Sequence, residues 1–288
     1  MKENSSQQLH MLRYTLTEQL IHGMEVSNLA YDLARELGYE KEICYELAKA
    51  GVLHDIGKIV LENYVEEQDT LVVEEMRFVR THSTLGYELL QGRGYSDFVL
   101  ESILYHHENA NGSGPFGKTW EEIPLFSRII HLSDLLDRAY GAKGFTEDIF
   151  NKACGYLHKN EGTVVDKECV DAFLQAFPLP HFLTLGEDSF EKTLWEKIPR
   201  IKQELSFAQI KELASFFAQI VDYKSPFTST HSIGVAEDAE RLSRYMGFDE
   251  ETVQKMYLAG ALHDIGKVAV GNETVSYTHL TLPTILRV

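Results

Sequence analysis

Residues 21–60 read IHGMEVSNLAYDLARELGYEKEICYELAKAGVLHDIGKIV, and residues 230–269 read THSIGVAEDAERLSRYMGFDEETVQKMYLAGALHDIGKVA. The two stretches align without a gap at an offset of 209 residues. His22 meets His231, His54 meets His263, Asp55 meets Asp264 and Lys58 meets Lys267. A period this long marks a duplicated domain, not a solenoid repeat. In the first copy Val26, Leu29, Ala30, Leu33 and Leu37 form one apolar helical stripe, and Gly38 follows as a stop. Val235, Ala239, Leu242 and Met246 repeat the stripe, and Gly247 repeats the stop.

The periodicity outside the repeat is also helical. It predicts helices over 41–53, 72–91, 97–107, 122–140 and about 206–222. The first delivers His54 and Asp55, the second carries His82, the third ends in His106-His107, and the fourth carries Asp134. Residues 109–117, NANGSGPFG, read as a loop. Residues 145–200 read as helical tail and connector, broken at Pro178 and Pro180. No convincing run alternates apolar and polar residues, so the expected class is all-α.

Composition narrows the function. The 288 residues carry a formal net charge of −17, which repels polymeric nucleic acid. A small anionic ligand remains compatible where metal ions make one pocket positive. The three cysteines are scattered without a CxxC pair, as in a reducing compartment. No secretory h-region and no run of about 18 apolar residues is present, so a cytoplasmic protein without a membrane span is expected.

Imidazole and carboxylate side chains supply the chemistry: Glu18, His22, His54, Asp55, His82, His106, His107 and Asp134. Glu18 and His22 share a helix face. Adjacent pairs splay by about 100° around a helix, so they suit neighbouring ions, or one ion where a helix ends. An aspartate can bridge two cations about 3.5–4 Å apart. The absence of thiolates favours Fe, Mn, Co, Ni or Zn with open positions over a structural zinc. Two or three divalent ions outweigh the charge of Glu18, Asp55 and Asp134, which suits a phosphate ester. Such ions bring the pKa of a bound water to about 7. Lys58 can serve a phosphate oxygen as a point charge.

Taken singly, His22 and His82 read as ordinary helix histidines, Glu18 as a solvated face, and Lys58 as a solvent lysine. Asp137 rivals Asp134 on spacing. His10, His131, His158 and His181 read as structural or surface residues. The metal reading rests on the five-residue block HDIGK, which occurs twice, each time 32 residues after a histidine.

The ordered set over residues 18–146 resembles the HD-GYP family of bacterial phosphodiesterases. The matching residues are His22, His54–Lys58, His82-Ser-Thr-Leu-Gly86, His106-His107-Glu108 through Gly112 and Gly114, and Asp134-Leu-Leu-Asp137 in place of an Asp-x-x-Asp-Ala pattern. The resemblance implies an all-α HD-domain bundle followed by the first helices of a second HD domain. It also implies a centre of two or three divalent ions, iron or manganese, and hydrolysis of cyclic di-GMP. His22, His54, Asp55, His82, His106, His107 and Asp134 match ligands, with Asp55 the bridge and Glu18 the extra ligand of trinuclear members. Lys58 matches a phosphate contact, and Gly112, Gly114 and Lys143 fall in the substrate-binding stretches.

Two stretches depart from the pattern. Gly-Tyr-Pro becomes Gly114-Pro115-Phe116-Gly117, and an Arg-Pro-Tyr-Arg-like stretch becomes Lys143-Gly-Phe-Thr146, where only Lys143 is charged. These departures leave room for another nucleotide, or for a signalling module that retains metal without turnover. The expected organisation is a phosphohydrolase domain over 1–150, a helical connector over 151–205 and a truncated second domain over 206–274. Residues 275–288 (VSYTHLTLPTILRV) read as a non-native tail. In the second copy His231, His263, Asp264 and Lys267 supply part of a site and no turnover is expected, since Phe227 stands where Glu18 would be. Uncovered apolar faces there predict poor order or association, with a second copy or a signalling partner.

Overall fold

The structure, a computed structural model, describes residues 21–61, 71–141, 144–185, 190–198, 204–223 and 231–266. Among these residues all regular structure is helical, and extended pairing is limited to the bridges Asn111–Thr119 and Glu161–Val165. The helices are α1 (residues 21–36), α2 (Lys41–Leu53), α3 (Ile56–Leu61), α4 (Leu71–Leu90), α5 (Asp97–Tyr105), α6 (Leu125–Tyr140) and α7 (Glu147–Asn160). They continue with α8 (Lys167–Ala176), α9 (Leu179–Phe182), α10 (Phe190–Lys197), α11 (Phe207–Tyr223), α12 (His231–Tyr245) and α13 (Glu250–Leu262). Helices α1–α10 belong to one compact unit and α11–α13 to another.

The repeated sequence is a repeated helix pair. Gly38 takes φ +83° after α1 and Gly247 takes φ +78° after α12, a left-handed turn that glycine adopts without strain. Tyr39 N–H then donates to Ala34 O at 3.0 Å, and Phe248 N–H to Ser243 O at 3.2 Å, so both helices end on the same bond. The repeated Ala-Gly pair explains how the next helix crosses back. A Cβ on Gly51 would lie 2.6 Å from Ser27 Cα, and one on Gly260 would lie 2.7 Å from Ala236 Cα. The backbones touch at equivalent points in both units, and only glycine permits it.

In the first unit, α5 packs between α4 and α6, and α2 packs on α5 and α6. Leu33, Leu47, Leu90, Ile103, Ile129 and Leu132 fill the space between them, all fully buried. Helix α6 begins at Leu125, three residues later than the periodicity predicts, because Pro124 occupies its N-cap with φ −52°. Ser96, Thr146 and Asp166 cap α5, α7 and α8 through their side chains.

Residues 151–205, expected as tail and connector, behave differently. Through α7–α10 they bury Leu157, Phe173, Phe177, Phe182 and Leu194 within the first unit. Aromatic residues there supply core volume that the Pro178 and Pro180 signals masked, since those prolines only open the short α9.

The second unit has a small core of Ala214, Ala236, Tyr257 and Ala261, with Phe207 against it. It leaves Leu242, Tyr245, Met246 and Phe248 exposed, Tyr245 at 90%. The three cysteines are free, and no helix among the described residues is long and apolar enough to cross a membrane.

Candidate metal centre

The site forms where α2, α4 and α5 end or cross near α6. His54 is the C-cap of α2 and Asp55 turns the chain into α3, so this adjacent pair sits at a helix end. His106 is the C-cap of α5, and His107 follows it. Both pairs therefore escape the splay of an ideal helix and converge: the His106 and His107 ring centroids are 4.0 Å apart. His22 comes from α1, His82 from α4 and Asp134 from α6.

Two donor groups share one carboxylate. In one, Asp55, His82, His106 and His107 each offer an atom within 4.8 Å of the others; in the second, His22, His54 and Asp55 do so. Asp55 Oδ1 faces the first group, 3.3 Å from His82 Nε2 and 3.7 Å from His106 Nε2. Asp55 Oδ2 faces the second, 3.4 Å from His54 Nε2 and 3.8 Å from His22 Nε2. Asp134 Oδ1 closes that side, 3.0 Å from His22 Nε2 and 3.5 Å from His54 Nε2.

The ring orientations suit cations better than hydrogen bonds. His54 Nδ1 lies 2.7 Å from Gly51 O and His106 Nδ1 lies 2.6 Å from Ile103 O, so each donates outward and turns its Nε2 toward the cavity. His107 Nε2 and His106 Nε2 approach His82 Nε2 to 3.1 and 3.3 Å, a crowding of ring nitrogens that a shared cation relieves. His22 Nε2, His54 Nε2 and Asp55 Oδ1 are buried and reach no partner in good hydrogen-bond geometry. Orphaned buried donors and acceptors are costly. Imidazole and carboxylate lone pairs aimed at one cavity thus fit divalent transition metals.

Electrostatics agree. Burial opposes charge on Asp55 and Asp134, but the surrounding imidazoles, and Arg138 beside Asp134, hold both carboxyls well below the usual range. Burial likewise opposes protonation of His54, yet Asp55 and Asp134 outweigh it and raise the ring to about 10. In the other group burial dominates and pushes His106 down to about 4.

Asp137 does not rival Asp134 for the cavity. Its Oδ2 lies 2.5 Å from His22 Nδ1, on the far side of the ring, so it orients the histidine while Asp134 faces Nε2. Burial, followed by contact with Asp137, raises the neighbouring Glu25 to about 9. Lys58 pairs with Asp55 Oδ2 at the rim. Arg138 reaches the same oxygen at 3.0 Å and Asp134 Oδ1 at 2.5 Å.

The glycine loop hangs on a buried carboxylate. Glu108 accepts the N–H of Phe116 and of Lys118, both at 2.6 Å. A Cβ on Gly114 would lie 2.6 Å from Glu108 Cα, so this glycine is needed for the loop to fold over Glu108. Gly112 turns the loop with φ +79°. Behind the donor groups, His131 donates from Nδ1 to His106 O at 2.7 Å and fixes the turn that bears the histidine pair. From sequence alone Arg138 has no role, Glu108 appears only within the His-His-Glu run, and His131 reads as structural or surface. Arg138 left one signal, its place in the Asp-x-x-Asp-Ala pattern where alanine is expected.

Glu18, Lys143 and Lys267 lie outside the described residues. In the second unit His231, His263 and Asp264 form a donor group of their own. His263 Nδ1 lies 2.8 Å from Gly260 O, the counterpart of the His54 bond.

Comparison with known proteins agrees with this picture. A family model described as an HD domain matches residues 4–169, and a second HD-domain model matches residues 228–284. The chain belongs to the HD-domain family, and its ordered motifs place it in the HD-GYP branch. The second match runs into the segment that the sequence set apart as a tail, which lies outside the described residues. A 3'3'-cGAMP-specific phosphodiesterase of Vibrio cholerae is 26% identical over 262 residues, 88% of this chain and 60% of that protein. A cyclic di-GMP phosphodiesterase response regulator of Xanthomonas campestris, RpfG, is 34% identical over 155 residues, 52% of this chain and 41% of that protein. The chain thus spans about two to three fifths of the length of these relatives. A crystal structure of a cyclic GMP-AMP specific phosphodiesterase of V. cholerae superposes with a TM-score of 0.63 at 22% identity, covering 85% of this chain and 66% of that one, a likeness of fold.

Proposed function

We propose that the first unit is a metal-dependent phosphodiesterase that opens a cyclic dinucleotide by hydrolysis, with cyclic di-GMP as its substrate. The observation that carries this reading is Asp55, whose two oxygens face two separate histidine groups. A carboxylate so placed suits a pair of divalent ions, iron or manganese. Ions held there would supply Lewis acidity and a nucleophilic water at neutral pH. The protein's own part is to hold His54 and His106 in one tautomer, orient His22 through Asp137 and present Lys58 as a cation to phosphate. Water adds to phosphorus as one ester P–O bond breaks, and the departing sugar oxygen takes up a proton.

A second substrate has an observation in its favour. The relative named for 3'3'-cGAMP matches across 88% of the chain, and this chain's loop carries Pro115-Phe116 where the family pattern has Tyr-Pro. The test is anaerobic purification, loading with Fe(II) or Mn(II), elemental analysis and chromatography of products from cyclic di-GMP, 3'3'-cGAMP and cyclic di-AMP. The expected result is two ions in the first unit, a linear dinucleotide product and loss of both in Asp55→Ala. Fully loaded protein that cleaves none of the three would leave a metal-retaining binding module as the better reading.

A further inference from the structure

Among the described residues, Lys58 and Arg138 are cationic side chains at the rim of the metal centre, and the family pattern accounts for the first. Lys58 belongs to HDIGK. Arg138 stands one turn after Asp134 on α6, at a position where the pattern has alanine. Its guanidinium spans the site mouth: Nε meets Asp134 Oδ1 at 2.5 Å and Nη2 meets Asp55 Oδ2 at 3.0 Å. The side chain is 44% exposed, while Asp134 beneath it is 2% exposed. Arg138 is therefore a lid of positive charge over the donor cavity, with one edge against carboxylates and the remainder open to solvent.

The same chain has lost positive charge elsewhere. The stretch that would resemble Arg-Pro-Tyr-Arg retains only Lys143. A cyclic dinucleotide carries two phosphodiester charges, and Lys58 alone is a point charge for one oxygen. An arginine offers a planar fork of donors that matches two phosphate oxygens at once. Cations in the cavity would draw on the lone pairs of Asp55 and Asp134 that Arg138 now occupies, leaving guanidinium donors for an incoming anion.

We propose that Arg138 is a substrate-anchoring residue of this chain, contacting a phosphodiester oxygen beside Lys58 and replacing the positive charge missing downstream of α6. The proposal rests on the hydrolase reading for the identity of its ligand, but not for its anion chemistry.

The test uses the full chain, wild type, Arg138→Ala and Arg138→Lys, loaded anaerobically with Mn(II). Titration calorimetry measures affinity for a hydrolysis-resistant phosphorothioate cyclic dinucleotide and for inorganic phosphate, and elemental analysis counts the metal. The expected result is unchanged metal content, at least a tenfold loss of analogue affinity in Arg138→Ala and a smaller loss in Arg138→Lys, which keeps charge without the fork. Analogue affinity within twofold of wild type in Arg138→Ala would overturn the proposal. So would loss of metal in step with loss of affinity, which would make Arg138 a support for the carboxylates. Should wild type bind no cyclic dinucleotide, the substrate reading falls by itself. Inorganic phosphate then decides: affinity that depends on Arg138 upholds the anchor, and affinity indifferent to it overturns the anchor too.

Discussion

Gly57, the glycine of HDIGK, is the point at which a helix crossing and the metal centre become one problem. A Cβ built there would lie 2.0 Å from His82 O and 2.7 Å from Gly86 N, both backbone atoms of α4. Gly57→Ala therefore cannot be absorbed by a side-chain rotation. Ordinary contact begins near 3.4 Å, so α3 and α4 must part by about 1.4 Å. Asp55 Oδ1 and His82 Nε2, now 3.3 Å apart, are two residues before Gly57 and on the clashing residue itself. The ligand group they share would open by a similar amount. Overpacking of this kind costs about 1–3 kcal/mol. A backbone clash belongs at the upper end, which lowers Tm by about 6–12 °C for a unit of this size. Gly155 supplies the control, since a Cβ there meets nothing within 4 Å in the middle of α7. Gly155→Ala is expected to gain about 0.5–1 kcal/mol through helix propensity and a less flexible unfolded chain. Thermal melts of metal-free protein by circular dichroism, paired with elemental analysis after loading, measure both effects. Gly57→Ala that melts within about 2 °C of wild type and binds full metal would refute the coupling of crossing to site.

Other expectations follow from the same geometry. Asp137→Ala removes the acceptor that orients His22 and is expected to weaken metal binding about 10–100-fold with the fold intact; competition with a chelating dye measures it, and unchanged affinity would count against the orienting role. Free metal at about 100 times Kd should stabilise the first unit by about 2.7 kcal/mol, a rise that a chelator reverses. Below pH about 10 His54 holds a proton in the metal-free chain because Asp55 and Asp134 outweigh its burial. Loading must expel that proton, so affinity should climb with pH toward that value. Calorimetry in buffers of different ionisation enthalpy counts the protons, and a count of zero at pH 7.5 contradicts the assignment.

Much of this is legible in the sequence alone, for reasons that differ by residue. The helix over 41–53 is where the periodicity put it, and so are the ends at Gly38 and Gly247, because apolar stripes and glycine stops are local signals. His22 and His54 were legible because few other uses explain HDIGK recurring at a fixed distance from a histidine, whereas His82, His106 and His107 were singled out through the resemblance to the HD-GYP motifs. Asp134 and Asp137 could not be separated, since three residues apart they share a face of α6; only the position of the His22 ring between them decides. The role of Glu108, a residue the sequence shows only within the His-His-Glu run, was hidden for another reason: its partners are two backbone N–H groups of a loop, and no side-chain pattern encodes them. The packing of α7–α10 was hidden because buried aromatic residues on short helices leave a weak period, while prolines advertise a break.

The duplication shows which part of the centre a helix pair makes by itself. The crossing at Gly51 is copied at Gly260, and the bond from His54 Nδ1 to Gly51 O is copied from His263 to Gly260. With them comes a copied donor trio, His231, His263 and Asp264, matching His22, His54 and Asp55. The remaining donors of the first unit come from α4, α5 and α6, and the described residues of the second unit comprise α11–α13. What those additional helices add is more than ligands. In the first unit they bury His54 to 1% exposure, whereas the His263 side chain is 35% exposed. Charges and lone pairs at a solvated site attract a cation far less than those walled from water. The second trio is thus a template for half a centre, and the low-dielectric enclosure that would bind two ions tightly is built by α4–α6.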